Sequence, residues 1–453
     1  MRFFILTITV LISISCQINN DRSFNIVAYG AIPDGKTLNT KSIQEAIEKA
    51  IENKGKVIIP KGKFYTGSLT LGPNMTLQLN EGAELIASSN MQNYSGPNFI
   101  FAPDADNLTI RGKGVINGNG ESFFDEQWNY DQRPRPWIVI QDAKNVSVSG
   151  ITLVNSPSHC LVFNFCEDVA VDSLTIKNHP RSPNTDGIDI INSKNILITN
   201  CIISTGDDAI CIKNKRSSKY FENEALNRSR YTENILVKNC ILESDDAALK
   251  LGTGSSYHTR NCSFQDVRIK NSRYGIALFM MDGGIYSDLS FKNITIKTGG
   301  RQKDEYGIFV DTHRRDSLSA IGTIKNINFK DIDITTNGLL YFSGYPEKEI
   351  SKITLENVKV TVPDADNTIT AGWKKPKGNK KIKYWNNTVS YIQSPGSMIV
   401  AHAKDFKIKN LMIHHQQGKM DRHGIYLIDV KGLDTMDVKG NTLYKESFVF
   451  TKK

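Results

Sequence analysis

The sequence predicts an all-β protein, a right-handed parallel β-helix (a solenoid) that begins with a capping helix. Short segments of alternating apolar residues recur along the chain, and those that start at residues 107, 145, 168 and 195 follow one another after 38, 23 and 27 residues. Periods of this size are typical of solenoids, and the repeated unit is strand-sized with almost no helical periodicity. A β-sandwich is the alternative, but the hairpin turns that it needs, such as Asn-Gly, are scarce. The repeated segments are NLTIRG (107–112), NVSVSG (145–150), DVAVDS (168–173), NILITN (195–200), NILVKN (234–239), DVRIKN (266–271), DLSFKN (288–293), NINFKD (326–331), ITLENV (353–358) and FKIKNL (406–411).

The only segment with clear helical periodicity lies within residues 24–60, near the N-terminus. There Thr40 is positioned to cap the segment SIQEAIEKAIENKG, which ends at Gly55. Its apolar residues fall on one face: Ile43, Ala46, Ile47, Ala50 and Ile51. An amphipathic helix before a long run of strands is expected to cover the open end of the first coil.

Residues 1–16 have the pattern of a targeting segment. Arg2 is followed by an apolar stretch, and small residues then lead to Cys16. The apolar stretch is too short for a permanent membrane-spanning helix. The segment resembles a bacterial lipoprotein signal with Cys16 as the lipidated residue, and a plain secretory signal is the alternative. Both imply export, to a lipid-anchored position in the cell envelope or to the periplasm, with the lipid anchor as the only membrane contact.

The remaining residues, 17–453, are expected to form one β-helix domain whose loop insertions make the walls of a cleft. Three insertions stand out, at 118–137, 214–233 and 371–386. The last places six lysines between two tryptophans. Because aromatic rings stack on sugars and ammonium groups pair with carboxylates or sulfates, Trp373 is a candidate substrate-binding residue. A solvated charged loop is the alternative.

The chain carries a net charge of +9, with Lys and Arg spread along its length, which suits a polyanionic partner. For an exported protein we expect an acidic polysaccharide or oligosaccharide, and no pattern typical of nucleic-acid binding is present. Seven cysteines occur without the spacing of a metal site, so neither a metal nor a cofactor is expected. Cys201 and Cys240 occur in matching contexts, TNCII and KNCIL, and predict equivalent buried positions of the repeat rather than a disulfide.

Acidic residues cluster where two neighbouring repeats enter a strand. Asp186 and the pair Asp207–Asp208 each precede a short run of apolar residues on alternate positions. If the two strands are neighbours in a parallel sheet, they are about 4.8 Å apart and the three carboxylates converge. Like charges at that range raise one pKa and thereby provide an acid and a base in one site. Solvated turn aspartates and a calcium site are the alternatives.

The same alternation predicts which other side chains share this surface. It places Lys213 and Lys250 on the outer face, in the same groove and one coil apart. Two ammonium groups there could bind a substrate carboxylate or sulfate, or could lower each other's pKa so that one acts as a base. Two solvated lysines are the alternative. Asp189, Asp246 and His159 are further candidates for substrate binding.

Four motifs carry a family resemblance: RPRPWIVI (133–140), NSPSHCLVF (155–163), NTDGIDI (184–190) and GDDAICIK (206–213). Together they resemble family 28 of the glycoside hydrolases, the polygalacturonases, within the pectate-lyase-type β-helix superfamily. The resemblance implies that Asp207 is the general acid and that Asp186 and Asp208 hold and activate the attacking water. It also implies inverting chemistry, for which acid and base are about 6.5–9.5 Å apart.

Two motifs of that family are absent. Where Gly-His-Gly is expected, the chain has ESDDAALK, with Ala247 near the position of the His. Where Arg-Ile-Lys is expected, the chain has RYGIALFM, with Ala277 and Phe279 at the outward positions. The usual clamp for a uronate carboxylate is therefore missing, and Phe279 is the side chain expected to face substrate there.

The leading function is polygalacturonase-like hydrolysis of a glycosidic bond in a uronate-containing polysaccharide or oligosaccharide. The alternative is elimination by a lyase or dehydratase on pectic or algal, ulvan-like uronates. It is motivated by the absent motifs and the two lysines, because abstraction of a proton beside a carboxylate needs a base and a cation. A glycan-binding protein without activity is a third possibility, but it gains nothing from three clustered acids.

Overall fold

The computed structural model describes residues 22–215, 231–301, 305–364, 396–417, 423–442 and 447–452. Its strands pair in parallel, each with the equivalent strand of the next coil, and the coils stack into a parallel β-helix. The fold class predicted from the repeats is therefore confirmed.

Three parallel sheets run along the coil. The first, here called the site sheet, consists of Leu69–Thr70, Ile100–Pro103, Ile138–Gln141, Leu161–Asn164, Ile188–Ile191, Ile210–Asn214, Ala247–Ser255, Tyr274–Met280, Tyr306–Thr312, Leu339–Ser343 and Val449–Lys452. The second consists of Ser23–Asn25, Lys56–Ile59, Thr76–Leu79, Thr109–Gly112, Lys144–Ser149, Glu167–Asp172, Lys194–Thr199 and Tyr231–Lys238. The third consists of Asp34–Leu38, Gly62–Thr66, Ala83–Ala87, Val115–Asn117, Thr152–Val154, Thr175–Lys177, Ile202–Thr205 and Ile241–Ser244.

Later strands continue around a corner of the coil and belong to more than one sheet. The second and third sheets share His258–Ser272, Ile285–Thr298, Thr323–Thr335, Ile350–Val362 and Asp434–Gly440. Gly396–His415 passes through all three sheets, and His423–Lys431 passes from the site sheet into the second.

Alternation along each strand separates a side that faces the core from a side that faces outward. Ile210 and Ile212 enter the core, as predicted, and equivalent apolar residues of successive coils stack on one another. Phe291 lies between Phe264 and Phe329, with ring centroids 4.7 and 4.9 Å away. Such stacks fill the interior of the coil with apolar surface, which is the main stabilising contribution to the fold.

The asparagines that accompany the repeats form a ladder at one turn of the coil. Asn145 and Asn234 have φ values of 56° and 58°, a left-handed conformation that Asn tolerates better than most residues. Their side chains bond between coils: Asn145 donates to Asn107 at 2.7 Å, and Asn234 donates to Asn195 at 2.8 Å. The recurring Asn therefore has a structural role.

The α-helix Thr40–Asn53 packs against the first strands and buries the predicted apolar face. The prediction that Thr40 caps it is wrong. Asn39 is the capping residue, and the Thr40 hydroxyl instead accepts a hydrogen bond from the Gly67 amide at 2.7 Å. Within the described residues, no helix is long and apolar enough to cross a membrane. The 3₁₀ turns are Ile26–Tyr29, Met91–Asn93 and Gly120–Phe123.

The predicted insertions differ in how much of them the structure describes. The insertion 118–137 lies between strands of the third sheet and the site sheet. Of 214–233, the first two and last three residues are described, and both ends continue into strands. The insertion 371–386 with Trp373, and the segment 1–16 with Cys16, lie outside the described residues. The six described cysteines are buried and free, which agrees with the packing role predicted for them.

Candidate active site

Asp186, Asp207 and Asp208 come together because each lies in the turn just before a strand of the site sheet and the two strands pair in parallel. The Gly187 amide donates to the Asp208 carbonyl at 2.8 Å, which joins the two turns. One carboxylate oxygen from each of Asp207, Asp208 and Asp246 lies within 4.8 Å of the others, and Asp186 approaches Asp208 within the same distance. The predicted convergence of the acids is therefore observed, and Asp246 joins them from the next coil.

Lys213 is enclosed by two of these carboxylates. Its Nζ lies 2.9 Å from Asp186 Oδ2 and 2.6 and 2.8 Å from the two oxygens of Asp189, and the side chain is 10% exposed. Burial lowers the pKa of Lys213, but the charges of Asp186 and Asp189 outweigh it and raise that pKa well above its ordinary value. Lys213 therefore remains charged and is already paired.

Lys250 forms the equivalent ion pair with Asp208, the acid in the turn before the strand Ile210–Asn214. Its Nζ lies 2.8 Å from Asp208 Oδ2 and 3.4 Å from Asp246 Oδ2. The strand register places Lys250 opposite Cys211, and the strands that carry Lys213 and Lys250 are neighbours in the site sheet, one coil apart as predicted. Burial lowers the pKa of Lys250, yet the charges of Asp208 and Asp246 raise it well above the ordinary value. The proposed mutual lowering of the two lysine pKa values is therefore wrong.

Asp207 has a different environment. In the described part of the chain, its carboxylate accepts hydrogen bonds from the amides of Asn184 at 3.2 Å and Asp208 at 3.0 Å, and from no lysine. Burial, followed by the charges of Asp186, Asp208 and Asp246, raises the pKa of Asp207 well above its ordinary value. Asp207 is therefore the carboxyl group of the cluster that keeps its proton.

The other carboxylates titrate differently because of their lysines. Burial alone would raise the pKa of Asp186, but Lys213 outweighs burial and holds that pKa below the ordinary value. Burial raises the pKa of Asp208 and of Asp189 to about 7, with the partner lysine of each acting in the opposite direction. Asp186 is thus the most strongly ionised acid of the cluster.

His159 and Phe279 lie at the borders of the cluster, as predicted. His159 Nε2 is 3.8 Å from Asp186 Oδ1, and burial lowers the pKa of the imidazole to about 3, so it is neutral. The Phe279 ring has its centroid 5.5 Å from Lys250 Nζ, but only 7% of the residue is exposed. Little of Phe279 is therefore available to a substrate.

Sequence reasoning missed the arginines that brace the site. Arg273 Nη1 lies 3.0 Å from Asp246 Oδ1. Arg301 binds Asp245 through its backbone and its guanidinium group, and it reaches the Pro180 carbonyl at 3.0 Å. One signal was available for Arg273, because it precedes a strand of the site sheet as the acids do in earlier coils.

The insertion 118–137 contacts the acid-bearing turn, as expected of a cleft wall. The Arg133 guanidinium donates to the Pro183 carbonyl at 2.8 Å and to Asn184 Oδ1 at 3.0 Å. Because the Asn184 amide donates to Asp207, the insertion is two hydrogen bonds from the general-acid candidate. Arg133 was not a predicted site residue.

The site sheet beyond Lys250 presents aromatic residues that are buried although they occupy outward positions. Ala277, Phe309 and Tyr341 continue the row of Lys250, and Tyr306 packs beside them. Phe309 is 1% and Tyr306 is 2% exposed, which large side chains reach only when other atoms cover them. These rings therefore offer little surface for a sugar to contact.

Three sets of side chains within the described residues have donor atoms close enough for a metal ion: His159, Asp186 and Asp189; Asp186, Asp208 and Cys211; and Asp207, Asp208 and Asp246. Each set contains a carboxylate that already binds a lysine ammonium group at 3.0 Å or less. A cation would therefore compete with Lys213 or Lys250.

Comparison with known proteins places the chain among carbohydrate-active enzymes. The sequence model of the glycosyl hydrolases family 28 matches residues 51–377. An exopolygalacturonase from Zea mays is 37% identical over 201 residues, which is 42% of this chain and 48% of that protein. A probable polygalacturonase from Vitis vinifera is 26% identical over 382 residues, 77% of this chain and 75% of that protein. The chain thus spans about half the length of the maize relative.

Solved structures share the fold. A family 28 exopolygalacturonase from Yersinia enterocolitica superposes with a TM-score of 0.71 at 19% identity, covering 92% of this chain and 79% of that one. An exopolygalacturonase from Thermotoga maritima gives a TM-score of 0.65 at 21% identity, covering 75% of this chain and 87% of that one. At these identities the likeness concerns the β-helix. Since the family's sequence model covers most of the chain, this protein belongs to the glycosyl hydrolases family 28.

Proposed function

We propose that the protein hydrolyses a glycosidic bond in an acidic, uronate-containing polysaccharide or oligosaccharide of the polygalacturonan type. The observation that carries this proposal is the division of the acid cluster into two kinds of carboxyl group. Asp186 is held ionised by Lys213, whereas the hydrogen bonds that Asp207 accepts from described residues come from backbone amides, and its pKa is raised. Glycoside hydrolysis requires such an acid and such a base side by side. The names of the maize and grapevine relatives support the choice of substrate.

In this mechanism Asp207 donates its proton to the glycosidic oxygen as the bond from that oxygen to the anomeric carbon breaks. A water molecule attacks the anomeric carbon and gives one proton to the carboxylate of Asp186 or of Asp208. That proton is released to solvent afterwards, and Asp207 takes one up from solvent. Lys213 and Lys250 keep those carboxylates in place. The atoms balance as one water added for each bond broken, and Asp207 is reprotonated for the next cycle.

The spacing of the acids bears on the stereochemistry of the cleavage. The nearest oxygens of Asp207 and Asp208 are within 4.8 Å, which is shorter than the about 6.5–9.5 Å typical of inverting pairs. Inversion of the anomeric configuration is therefore implied by the family resemblance alone. Proton NMR of the first product formed tests it directly. A product that keeps the anomeric configuration of the substrate contradicts it.

The structure disfavours the elimination alternative. A base must be unprotonated, but Lys213 and Lys250 are both paired and have raised pKa values. Among the lysines that the structure describes, Lys215 has a lowered pKa, through burial and then the charge of Lys213. Lys215 was not a predicted site residue, and its substitution separates the two mechanisms in the last experiment below.

We also propose that the protein is exported and anchored by a lipid on Cys16. The support is the order of basic, apolar and small residues before Cys16, and the basic charge that suits an extracellular polyanion. Cys16→Ser should abolish incorporation of labelled fatty acid and release the protein from the membrane fraction. Unchanged labelling in that variant contradicts the lipid anchor.

The substitution Asp207→Asn tests the proposed role of Asp207. Asn preserves the shape and can still bind the two amides through its side-chain oxygen, but it cannot donate the proton. General acid catalysis contributes about 10²–10⁴-fold, so we expect kcat to fall by that factor while the thermal unfolding temperature stays close to the parent's. Asp266→Asn, at an exposed turn of the second sheet, is the matched control. Parental activity in Asp207→Asn contradicts the proposal.

A further inference from the structure

The insertion 118–137 carries an exposed aromatic ring between two arginines. Tyr130 is 40% exposed. The Arg133 guanidinium lies 3.7 Å from the centroid of its ring, and Arg135 Nη1 donates to the phenol oxygen at 3.1 Å. Arg133 thus lies over one face of the ring and Arg135 binds its phenol oxygen, while Phe124 packs against it with the ring centroids 5.9 Å apart. The ring nevertheless remains partly exposed to solvent.

Hydrogen bonds connect this ring to the acid cluster. Arg133 is buried and donates to Asn184 Oδ1 at 3.0 Å, and the Asn184 amide donates to Asp207 at 3.2 Å. Arg135 is joined to the Tyr130 ring by its hydrogen bond to the phenol oxygen. Two residues further along the chain, the Trp137 amide donates to the carbonyl of His159, whose ring lies 3.8 Å from Asp186. Tyr130 and Arg135 therefore belong to the insertion that contacts the acid cluster.

The opposite side of the site offers no equivalent. Ala277 and Phe279 occupy the positions where the family's carboxylate clamp is expected, and both are apolar. Lys213 and Lys250 are paired with the acids of the site. Arg135 is a further cation on the insertion that contacts the cluster, and its guanidinium group has the chemistry to bind a uronate carboxylate.

We propose that Tyr130 and Arg135 form a uronate-binding subsite next to the acids, in which the Tyr130 ring stacks on the sugar and the Arg135 guanidinium binds its carboxylate. The inference rests on the proposed hydrolysis of acidic saccharides and names the residues that select the acidic sugar. A planar guanidinium group matches a carboxylate with two parallel hydrogen bonds. An aromatic ring supplies contact area to a sugar whether or not that sugar is charged.

The test compares a galacturonate oligosaccharide with its methyl ester, which keeps the shape and removes the charge. Hydrogen bonds to charged groups contribute about 1.5–3 kcal/mol, so Arg135→Met should raise KM for the acid about tenfold or more and leave kcat within a few fold. The constant for the ester, measured as KM or as an inhibition constant, should not change. Arg135→Lys should recover part of the loss, and Arg111→Met, at an exposed arginine of the second sheet, should change neither constant.

Tyr130 gives an independent readout. Tyr130→Ala should weaken binding of acid and ester alike, whereas Tyr130→Phe, which keeps the ring but removes the phenol oxygen that Arg135 binds, should weaken binding of the ester less than Tyr130→Ala does. Equal KM values for the acid in the parent and a folded Arg135→Met variant overturn the proposal, as does parental binding of both saccharides in Tyr130→Ala. If the parent releases no product from any acidic oligosaccharide, the proposed hydrolysis itself fails, which is a distinguishable result.

Discussion

At the scale of single residues, the lysines determine which acid keeps its proton. Lys213 and Lys250 each lie within hydrogen-bond distance of a carboxylate of the site, and Arg273 binds another. The carboxylates outnumber these cations, so the cluster retains protons. The retained protons stay on the carboxylates that have the weakest compensating positive charge. The members of the cluster are Asp186, Asp189, Asp207, Asp208 and Asp246.

The pH dependence follows from this arrangement. Asp207 acts in its protonated form, and its pKa is raised above the ordinary 3.8, so its contribution is complete at low pH and lost as pH rises through the raised value. We expect an alkaline limb of kcat/KM well above pH 3.8. Asp246→Asn removes one charge that raises this pKa and should move the limb to lower pH, while Asp266→Asn should leave it in place. A limb that stays unchanged or moves upward in Asp246→Asn contradicts the account.

Removal of one lysine should destabilise the fold as well as the site. Lys250→Met leaves the buried Asp208 carboxylate without its ammonium partner, and breaking a buried ion pair in this way costs about 3–5 kcal/mol. Lys238→Met is the matched control, because Lys238 is half exposed and 3.9 Å from Asp266, a surface pair that contributes about 1 kcal/mol or less. Urea unfolding measures both variants, and equal losses contradict a structural role for Lys250.

The sequence could predict the acids but not their partners. Asp186, Asp207 and Asp208 are recognisable because each precedes an apolar alternation that fixes their position at a strand start. Alternation also places Lys213 and Lys250 on the outer face. It does not predict the direction of a long side chain, which here depends on the charges of acids in the same coil and in the neighbouring coil.

At the scale of elements, the stacking of equivalent residues holds successive coils together. Phe291 contacts Phe264 and Phe329 on either side, so each ring is covered by its neighbours in the core. Phe291→Ala removes the middle of the stack and should lower the free energy of unfolding by about 3–5 kcal/mol. Phe450→Ala, at a ring that is 38% exposed on the C-terminal strand, is the control and should cost far less. Comparable losses in the two variants contradict the stacking argument.

Strand positions were predictable from the repeats, but strand lengths were not. The segment at 266–271 was expected to be a separate strand, and it is part of the continuous strand His258–Ser272. Whether a corner of the coil interrupts a strand depends on backbone hydrogen bonds at that corner, and apolar alternation does not encode them. The capping helix was predicted correctly because its 3.6-residue period is distinct from the period of two in the strands.

At the scale of the whole molecule, the outward side chains of the site sheet beyond Lys250 are covered. Tyr306, Phe309 and Tyr341 face outward there but are almost completely buried, so these rings offer little surface to a sugar. On the hypothesis that their cover also blocks the extension of a bound saccharide, we expect cleavage at or near a chain end. Reducing ends should appear while the viscosity of a polymeric substrate falls slowly, and one product size should dominate from the first minutes. A rapid fall in viscosity with a broad range of products contradicts this expectation.

The central claim is that the clustered acids add water across a glycosidic bond, and mass spectrometry of the products from an acidic oligosaccharide tests it most directly. The account predicts fragments whose summed mass exceeds that of the substrate by one water and that carry no ultraviolet-absorbing double bond. It also predicts that Asp207→Asn loses nearly all product and that Lys215→Met gives the same products as the parent. Fragments without the added water, carrying a new double bond that survives Asp207→Asn and disappears in Lys215→Met, would contradict it.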